Sequence, residues 1–417
     1  MRKDNKRVLS PNRTQLRLMP LDLDRMVREG DPVRAVWEFV ERVDLSDFYE
    51  KIRAVEGSPG RSAIDPKILM ALWLFGTIEG IGSAREIARL CETDWRYQWI
   101  CGGVTPGYHV LSDFRSLSEK EFDRILTNTV AVLMDKDLVT LERVAQDGMK
   151  VRASAGSGSF HTKGGLEECR EIARQQVEDL KQELERDGAA GTRRRDAARL
   201  RAARDRSQRI EEALAELPEI EERKKSNNGK KKSEARSSTT DPEARVMKMA
   251  DGGFRPALNV HFVTDTRSKV VAAVEVNNHG TDQRMTVPLA EQIDKRFGKN
   301  PMEWLEDGGC VTLAGIDSLS ERGTHVIAPV RPPRALERDA TEVRPTDSEA
   351  VADWRTRMAT EYAKTAYKER GATAELANAH ARAHGLTRFL VRSINKARSV
   401  ALLLAIANNM RREWSLA

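Results

Sequence analysis

The chain has 417 residues, 40% hydrophobic and 32% charged, with 70 Lys+Arg against 64 Asp+Glu for a net charge of +6. At about 100–200 residues per domain this predicts two to four domains with ample buried core, and no stretch approaches the ~20 apolar residues of a membrane span. Four cysteines (Cys91, Cys101, Cys169 and Cys310) form no CxxC pair, which argues against a zinc site or a disulfide framework and predicts a reducing cytoplasm; no apolar secretory segment opens the chain.

The first twenty residues carry Arg2, Lys3, Lys6, Arg7, Arg13 and Arg17 against one acid, Asp4. Such a basic arm (1–20) is either a solvated tail or a phosphate-neutralising extension. From 21 to 135 the pattern is helical. Asp65-Pro66 is a helix start, a capping carboxylate followed by proline at the first helical position. Ile68, Leu69, Leu72, Trp73 and Phe75 then supply an apolar face. Gly76 to Gly82 holds three glycines and reads as a turn. Ser83-Ala-Arg-Glu86 is a capping box for the next helix, with Ile87, Leu90 and Cys91 inward. Helix, glycine turn, helix is the outline of a helix-turn-helix, in which Arg85, Arg89 and Arg115 would point outward toward DNA; a plain three-helix core fits the same pattern. Ser118-Glu-Lys-Glu121 is a second capping box, opening a helix with Phe122, Ile125, Val130 and Leu133.

The period then changes. Arg143 to Val151 reads as a short strand ending at Asp147-Gly148, with a Gly/Ser-rich loop over Ala153 to Ser159. Segment 136–164 would open an α/β core that is interrupted by a polar insertion over 165–236. There Val177, Leu180 and Leu184, and again Ile210, Leu214 and Leu217, keep helical spacing on either side of a break at Asp187 to Gly191. Two long antiparallel helices are expected, closing in a basic loop from Arg223 to Lys232. The core would resume over 237–417. Leu258, Val260 and Phe262 alternate with Asn259 and His261, and a turn at Asp265 to Ser268 leads into Val270 to Val276, which is a β-hairpin. A helix with Val287, Leu289, Ile293 and Phe297 follows, then a strand at Trp304 to Gly309, a helix from Thr312 to Arg322, and a strand at Thr324 to Pro329. After a Pro/Arg-rich loop, Ala350 to Trp414 reads as helix with one interruption at His384-Gly385. This order predicts an α/β fold, a mixed sheet with helices on its faces.

Three carboxylates stand out. Asp147 and Asp307 each end a short strand and precede a glycine, which leaves room beside a rigidly held carboxylate. Asp-Gly also marks ordinary turns. Glu375 lies in an alanine-rich helical stretch that lets another backbone or a DNA strand come close, with Arg382 two turns further on the same face; Glu369 is a competing local candidate. Two strand-end acids and one helical acid are what a two-metal phosphoryl-transfer site needs, and an all-oxygen set suits Mg²⁺ or Mn²⁺.

On these motifs the chain resembles a bacterial insertion-sequence DDE transposase of the group numbered eleven-eighty-two, in the retroviral-integrase, RNase H-like superfamily. The motifs are Ser62 to Met70, Gln146 to Ala153, Ser237 to Phe254, Asp307-Gly-Gly with the helix after it, and Gly385 to Arg392. The resemblance implies an RNase H-like core and a catalytic triad of Asp147, Asp307 and Glu375 binding two Mg²⁺ ions. Tyr367, Arg370 and Arg382 would match a tyrosine–arginine–glutamate–lysine signature, with Lys150 as a further phosphate contact. Two departures stand: four residues rather than three separate Arg370 from Glu375, and Arg382 replaces the lysine. The implied partners are double-stranded DNA, at terminal inverted repeats and target, and a second subunit in the DNA complex.

Other chemistries find less support. The seven histidines include no pair around an apolar residue, and the Ser154 to Ser159 loop has no partnered base. A non-catalytic DNA-binding protein, a regulator or a decayed transposase, is the alternative.

Overall fold

The computed structural model of the protein describes residues 22–54, 62–186, 190–226, 234–331 and 339–416. The expected basic arm, residues 187–189 of the expected break and residues 227–232 of the expected basic loop lie outside the described residues, while Ala190 and Gly191, also expected in the break, are helical. Among the described residues, 22–135 form helices only: α1 (Leu23–Met26), α2 (Pro32–Arg42), α3 (Ser46–Glu50), α4 (Pro66–Ile78), α5 (Ala84–Thr93), α6 (Trp95–Cys101), α7 (Tyr108–Ser116) and α8 (Glu119–Asp135). The Asp65 carboxylate caps α4 by accepting from the Lys67 amide at 2.8 Å, with Pro66 in the first turn. Gly76 belongs to this helix rather than to the turn after it. A side chain there would meet Ile87 Cδ1 at 2.9 Å, so the glycine is where α5 lies against α4. The turn itself spans 79–83, with Gly80 at φ +76°. Ser83 caps α5 through the Glu86 amide as expected. At α8 the Ser118 hydroxyl makes no capping bond, and the buried Glu121 accepts from Lys51 Nζ at 2.5 Å instead.

Strand β1 (Arg143–Arg152) runs straight through Asp147-Gly148 instead of ending there. Strands β2 (Phe160–His161) and β3 (Ser237–Ser238) form a small antiparallel pair around the insertion. The insertion is two helices, α9 (Lys163–Arg186) and α10 (Ala190–Ser226). Arg174 pairs with Glu211 and Glu183 with Arg199, which makes them antiparallel. Leu166, Ala213, Leu217, Ile220 and Ala235 give this arm a small core of its own. Arg223 to Ser226, expected in a loop, continue α10.

The remaining elements are β4 (Arg245–Lys248), β5 (Phe254–Asp265), β6 (Val271–Asn277), α11 (Thr286–Phe297), β7 (Glu303–Leu305), α12 (Leu313–Glu321), β8 (His325–Ile327), α13 (Glu349–Met358), α14 (Glu361–Arg370), α15 (Leu376–Ala383) and α16 (Ile394–Leu416). A single π turn, Gly371–Glu375, joins α14 to α15. The C-terminal helical run breaks once more than expected, at Thr360, whose hydroxyl caps α14 through the Ala363 amide. The sheet is mixed: β5 runs antiparallel to β1, β4 and β6, while β1, β7 and β8 are parallel. Asn259 and His261, the polar half of the expected alternation in β5, are fully buried, because helices cover both faces of the sheet.

The N-terminal helices and the sheet share one hydrophobic core, which runs from Val36 and Leu72 through Ile125 to Val263, Trp304 and Leu403. Helix α16 joins them, packing on α4, α8 and β6. Where they meet, Gly385 (φ +87°) lies so close to Gly80 that a side chain on Gly385 would sit 2.6 Å from the Gly80 carbonyl oxygen. His384 Nδ1 donates to the Ile78 carbonyl at 2.9 Å while its Nε2 accepts from Arg411 at 2.6 Å, a pairing that fixes the neutral tautomer.

The start of α16 is held by two acids: Asp241 accepts from the Ser393 amide at 3.2 Å and Glu243 from the Ile394 amide at 2.6 Å. Burial pushes the Asp241 carboxyl up to about 6 from 3.8. A carboxyl raised on folding stabilises the fold fully below its unfolded value, and that contribution disappears as pH climbs from about 4 to about 6. Asp241→Asn keeps an acceptor for the Ser393 amide and should remove this slope, gaining on the order of 2 kcal/mol over wild type above pH 6. Urea titrations at pH 4 and pH 7 measure it; an equal effect at both would contradict the assignment.

Candidate functional site

The site begins with strand register. Ala145 of β1 pairs with Leu305 of β7 in parallel, so Asp147 and Asp307, each two residues further on, reach the same level at the end of that pairing. Beyond Leu305 the chain leaves the sheet in a tight turn: the Gly309 amide donates to Asp307 Oδ1 at 2.6 Å, and the Cys310 amide to the Asp307 carbonyl at 2.8 Å. Gly308 is required here, since a side chain would come within 2.6 Å of the Pro329 carbonyl oxygen. Arg331 ties the turn down by donating to the carbonyls of Gly308 and Gly309.

The third element arrives from α14. The Arg370 guanidinium is buried and faces three carboxylates at once. Its Nη2 donates to Asp147 Oδ1 at 3.0 Å and lies 3.9 Å from Asp307 Oδ2, and its Nη1 donates to Glu375 Oε1 at 3.3 Å. Asn378 Nδ2 takes the other Asp147 oxygen at 2.8 Å. Burial raises the Asp147 carboxyl above its ordinary value, and Asp282 and Asp307 add to that, while Arg370 and the Gly148 amide oppose it.

The extra residue between Arg370 and Glu375 now has a physical account. Residues Gly371–Glu375 are the π turn, which accommodates one more residue than an α-helical turn without breaking the helix. Five positions along this wider turn, Glu375 returns to the side of Arg370. Glu369, the competing candidate, points elsewhere: it accepts from Arg143 Nη1 at 2.7 Å, beside Glu303 and Tyr362. Tyr367 is half-buried near Arg370 and the acids, and burial raises its phenol. Arg382 is exposed on α15. Lys150 lies on β1 an odd number of residues from Asp147, so strand alternation places it on the opposite face.

Four neighbours escaped the sequence reading. Asn378 follows Glu375 by three residues, a helical spacing that makes it findable once Glu375 is chosen. Glu306 is buried beside Asp307, accepts from the Thr286 hydroxyl, and is pushed up to about 7 by burial. Asp282 and the fully buried His261 lie over Gly148; no periodic pattern marks Asp282, and the alternation in β5 assigns His261 to the polar half rather than to a buried site.

Residues 21–117 match a family model described as Transposase domain (DUF772), and residues 224–410 match one described as Transposase DDE domain. The chain belongs to the insertion-sequence DDE transposases. Comparison with curated proteins and with solved structures gives no match. In this transposase the DDE match encloses Asp307, Arg370, Glu375 and Asn378, and Asp147 falls between the two matched segments. DDE transposases act on DNA and in general use divalent metal ions. The acids fit that use, since they offer only oxygen donors. Among the described residues no three such side chains already converge on one point, and Arg370 stands between them. No helix of the described residues is long and apolar enough to cross a membrane.

In the N-terminal helices the transposase exposes Arg85 and Arg89. Arg85 stacks over the Tyr108 ring at 4.8 Å, and Arg89 pairs with Glu86 at 2.5 Å. Arg115 is a correction: it is buried, donating to the Gly82 carbonyl at 2.6 Å with its guanidinium 4.1 Å over the Trp73 ring. Its cation braces the turn between α4 and α5 and is unavailable to DNA.

Proposed function

We propose that this transposase belongs to the eleven-eighty-two group, with an RNase H-like catalytic core that cleaves phosphodiesters at the ends of its element and directs the 3′-hydroxyl into target DNA. Asp147, Asp307 and Glu375 are its catalytic acids and would hold two divalent ions, Mg²⁺ or Mn²⁺. The observation that carries this reading is the contact of one buried guanidinium with all three carboxylates. The mixed sheet with helices on both faces supports the RNase H-like assignment.

When bound, the ions would activate the attacking oxygen and stabilise the leaving one in an in-line displacement. The chain's own part is positioning and charge. β1 and the turn after β7 fix two carboxylates on rigid backbone, and the π turn brings the third to them. Arg370 neutralises the acids before ions arrive and then stands within reach of a scissile phosphate. Tyr367 and Arg382 flank the same helical segment, where they would meet the DNA backbone.

The N-terminal helical domain, 21–135, with the basic arm, would recognise the terminal inverted repeats through Arg85 and Arg89. An element has two ends, so a homodimer in the DNA complex is expected, in the cytoplasm. Binding should weaken steeply with salt, because phosphate contacts release counterions. The direct test is an assay on DNA carrying the terminal repeats: the protein should nick it at the repeat ends with Mg²⁺ and not with EDTA. Specific binding without any nicking would favour the non-catalytic alternative.

A further inference from the structure

Asp282 lies in the segment after β6, outside the three acids assigned above. Its Oδ1 accepts from Asn259 Nδ2 at 2.6 Å, and its side chain keeps 29% exposure. It reaches the site only because residue 148 is glycine: a side chain at Gly148 would lie 2.4 Å from Asp282 Oδ1 and 2.7 Å from His261 Cε1. In the β1–β5 register Gly148 pairs with His261 and Lys150 with Asn259, so Asp282 approaches from the face opposite Asp147 and meets it across the glycine.

A second observation points to a ligand. His261 is fully buried, with its Nε2 3.8 Å from Asp282 Oδ1, and among the described residues neither of its ring nitrogens has a hydrogen-bond partner. The Oδ1 atoms of Asn259 and Asn378 are unpartnered in the same way. Buried polar atoms seldom go unmatched, and four of them near these acids mark a place built for a hydrated group, whose waters both donate and accept. Three carboxylates (Asp147, Asp307 and Glu375) already share the single guanidinium of Arg370, and Asp282 beside Gly148 adds a fourth acid to the neighbourhood, an excess of negative charge that calls for cations.

We infer that Asp282 is a fourth carboxylate of the cation centre, taking a divalent ion together with Asp147, directly or through one of the waters such an ion retains. Asn259 fixes its rotamer, and His261 and the two asparagines satisfy the hydration shell. The inference rests on the assignment of Asp147 and Asp307 as ion-binding acids.

The test is a titration of the DNA-free full chain with Mn²⁺, reading free ion by its paramagnetic resonance signal, for wild type, Asp147→Asn, Asp307→Asn and Asp282→Asn. Asp282→Ser is run alongside in case one variant fails to fold, and thermal unfolding in EDTA checks each fold. Mn²⁺ affinity should fall about tenfold or more in the Asp282 variants and also in both triad variants. Wild-type affinity in the Asp282 variants, with Asp147→Asn impaired, would overturn the inference and leave the triad standing. Wild-type affinity in Asp147→Asn and Asp307→Asn would overturn the triad reading, and the inference with it.

Discussion

Arg370→Ala should lower stability by about 3 kcal/mol, the scale expected when one partner of a buried ion pair is removed. The loss should shrink when divalent cation is added. The guanidinium is the only cation in direct contact with Asp147 among the described residues, and that carboxyl is already raised by burial. Without Arg370, Asp147 keeps the Asn378 amide and loses its opposing charge, so its carboxyl rises further. Two readouts separate this account from simple loss of packing. Mg²⁺ should stabilise the variant more than wild type, by mass action at a site whose carboxylates are no longer neutralised. The acid limb of the nicking profile should move to higher pH, since a raised carboxyl must still lose its proton to bind an ion. Urea unfolding with Mg²⁺ and with EDTA measures the first; equal destabilisation in both would contradict the role given to Arg370.

Asp147→Asn should cost cleavage about 1,000-fold or more, roughly 4 kcal/mol of barrier, because an amide cannot replace a carboxylate as an ion ligand. Stability should move the other way. Folding raises the Asp147 carboxyl, so the charge it carries at neutral pH opposes the fold: its contribution is greatest below the unfolded value near 4 and is lost as pH rises. The asparagine carries no such penalty, and the variant should gain on wild type as pH rises from 4 to 8. A variant that binds repeat DNA normally, melts no lower than wild type at pH 8 and fails to nick is the expected result. One that nicks at the wild-type rate would remove Asp147 from the chemistry.

Asp65-Pro66, Ser83 and Thr312 are local signals, each a side chain satisfying a nearby amide, and each starts a helix where expected. The Asp307 turn is local only in part: Gly309 answers to the Asp307 side chain, whereas Gly308 answers to the Pro329 carbonyl beyond β8. Gly76 misled because glycine serves both turns and close helix packing, and only the partner Ile87 decides between them. Gly148 misled in the same way: it marks not a strand end but the place where Asp282 and His261 crowd the strand. Arginine alone predicts a surface position for Arg115, but a carbonyl and an indole ring from other segments make its burial tolerable. The π turn is invisible to a 3.6-residue period, which is why the spacing of Arg370 and Glu375 looked irregular.

The three acids around Arg370 are the centre of this account, and the π turn is the element that chooses the third of them. The most direct measurement compares Mg²⁺-dependent nicking of terminal-repeat DNA by Glu375→Gln and Glu369→Gln. Loss of nicking in the first with near-wild-type nicking in the second is the predicted result. Nicking that survives Glu375→Gln and disappears with Glu369→Gln would contradict it.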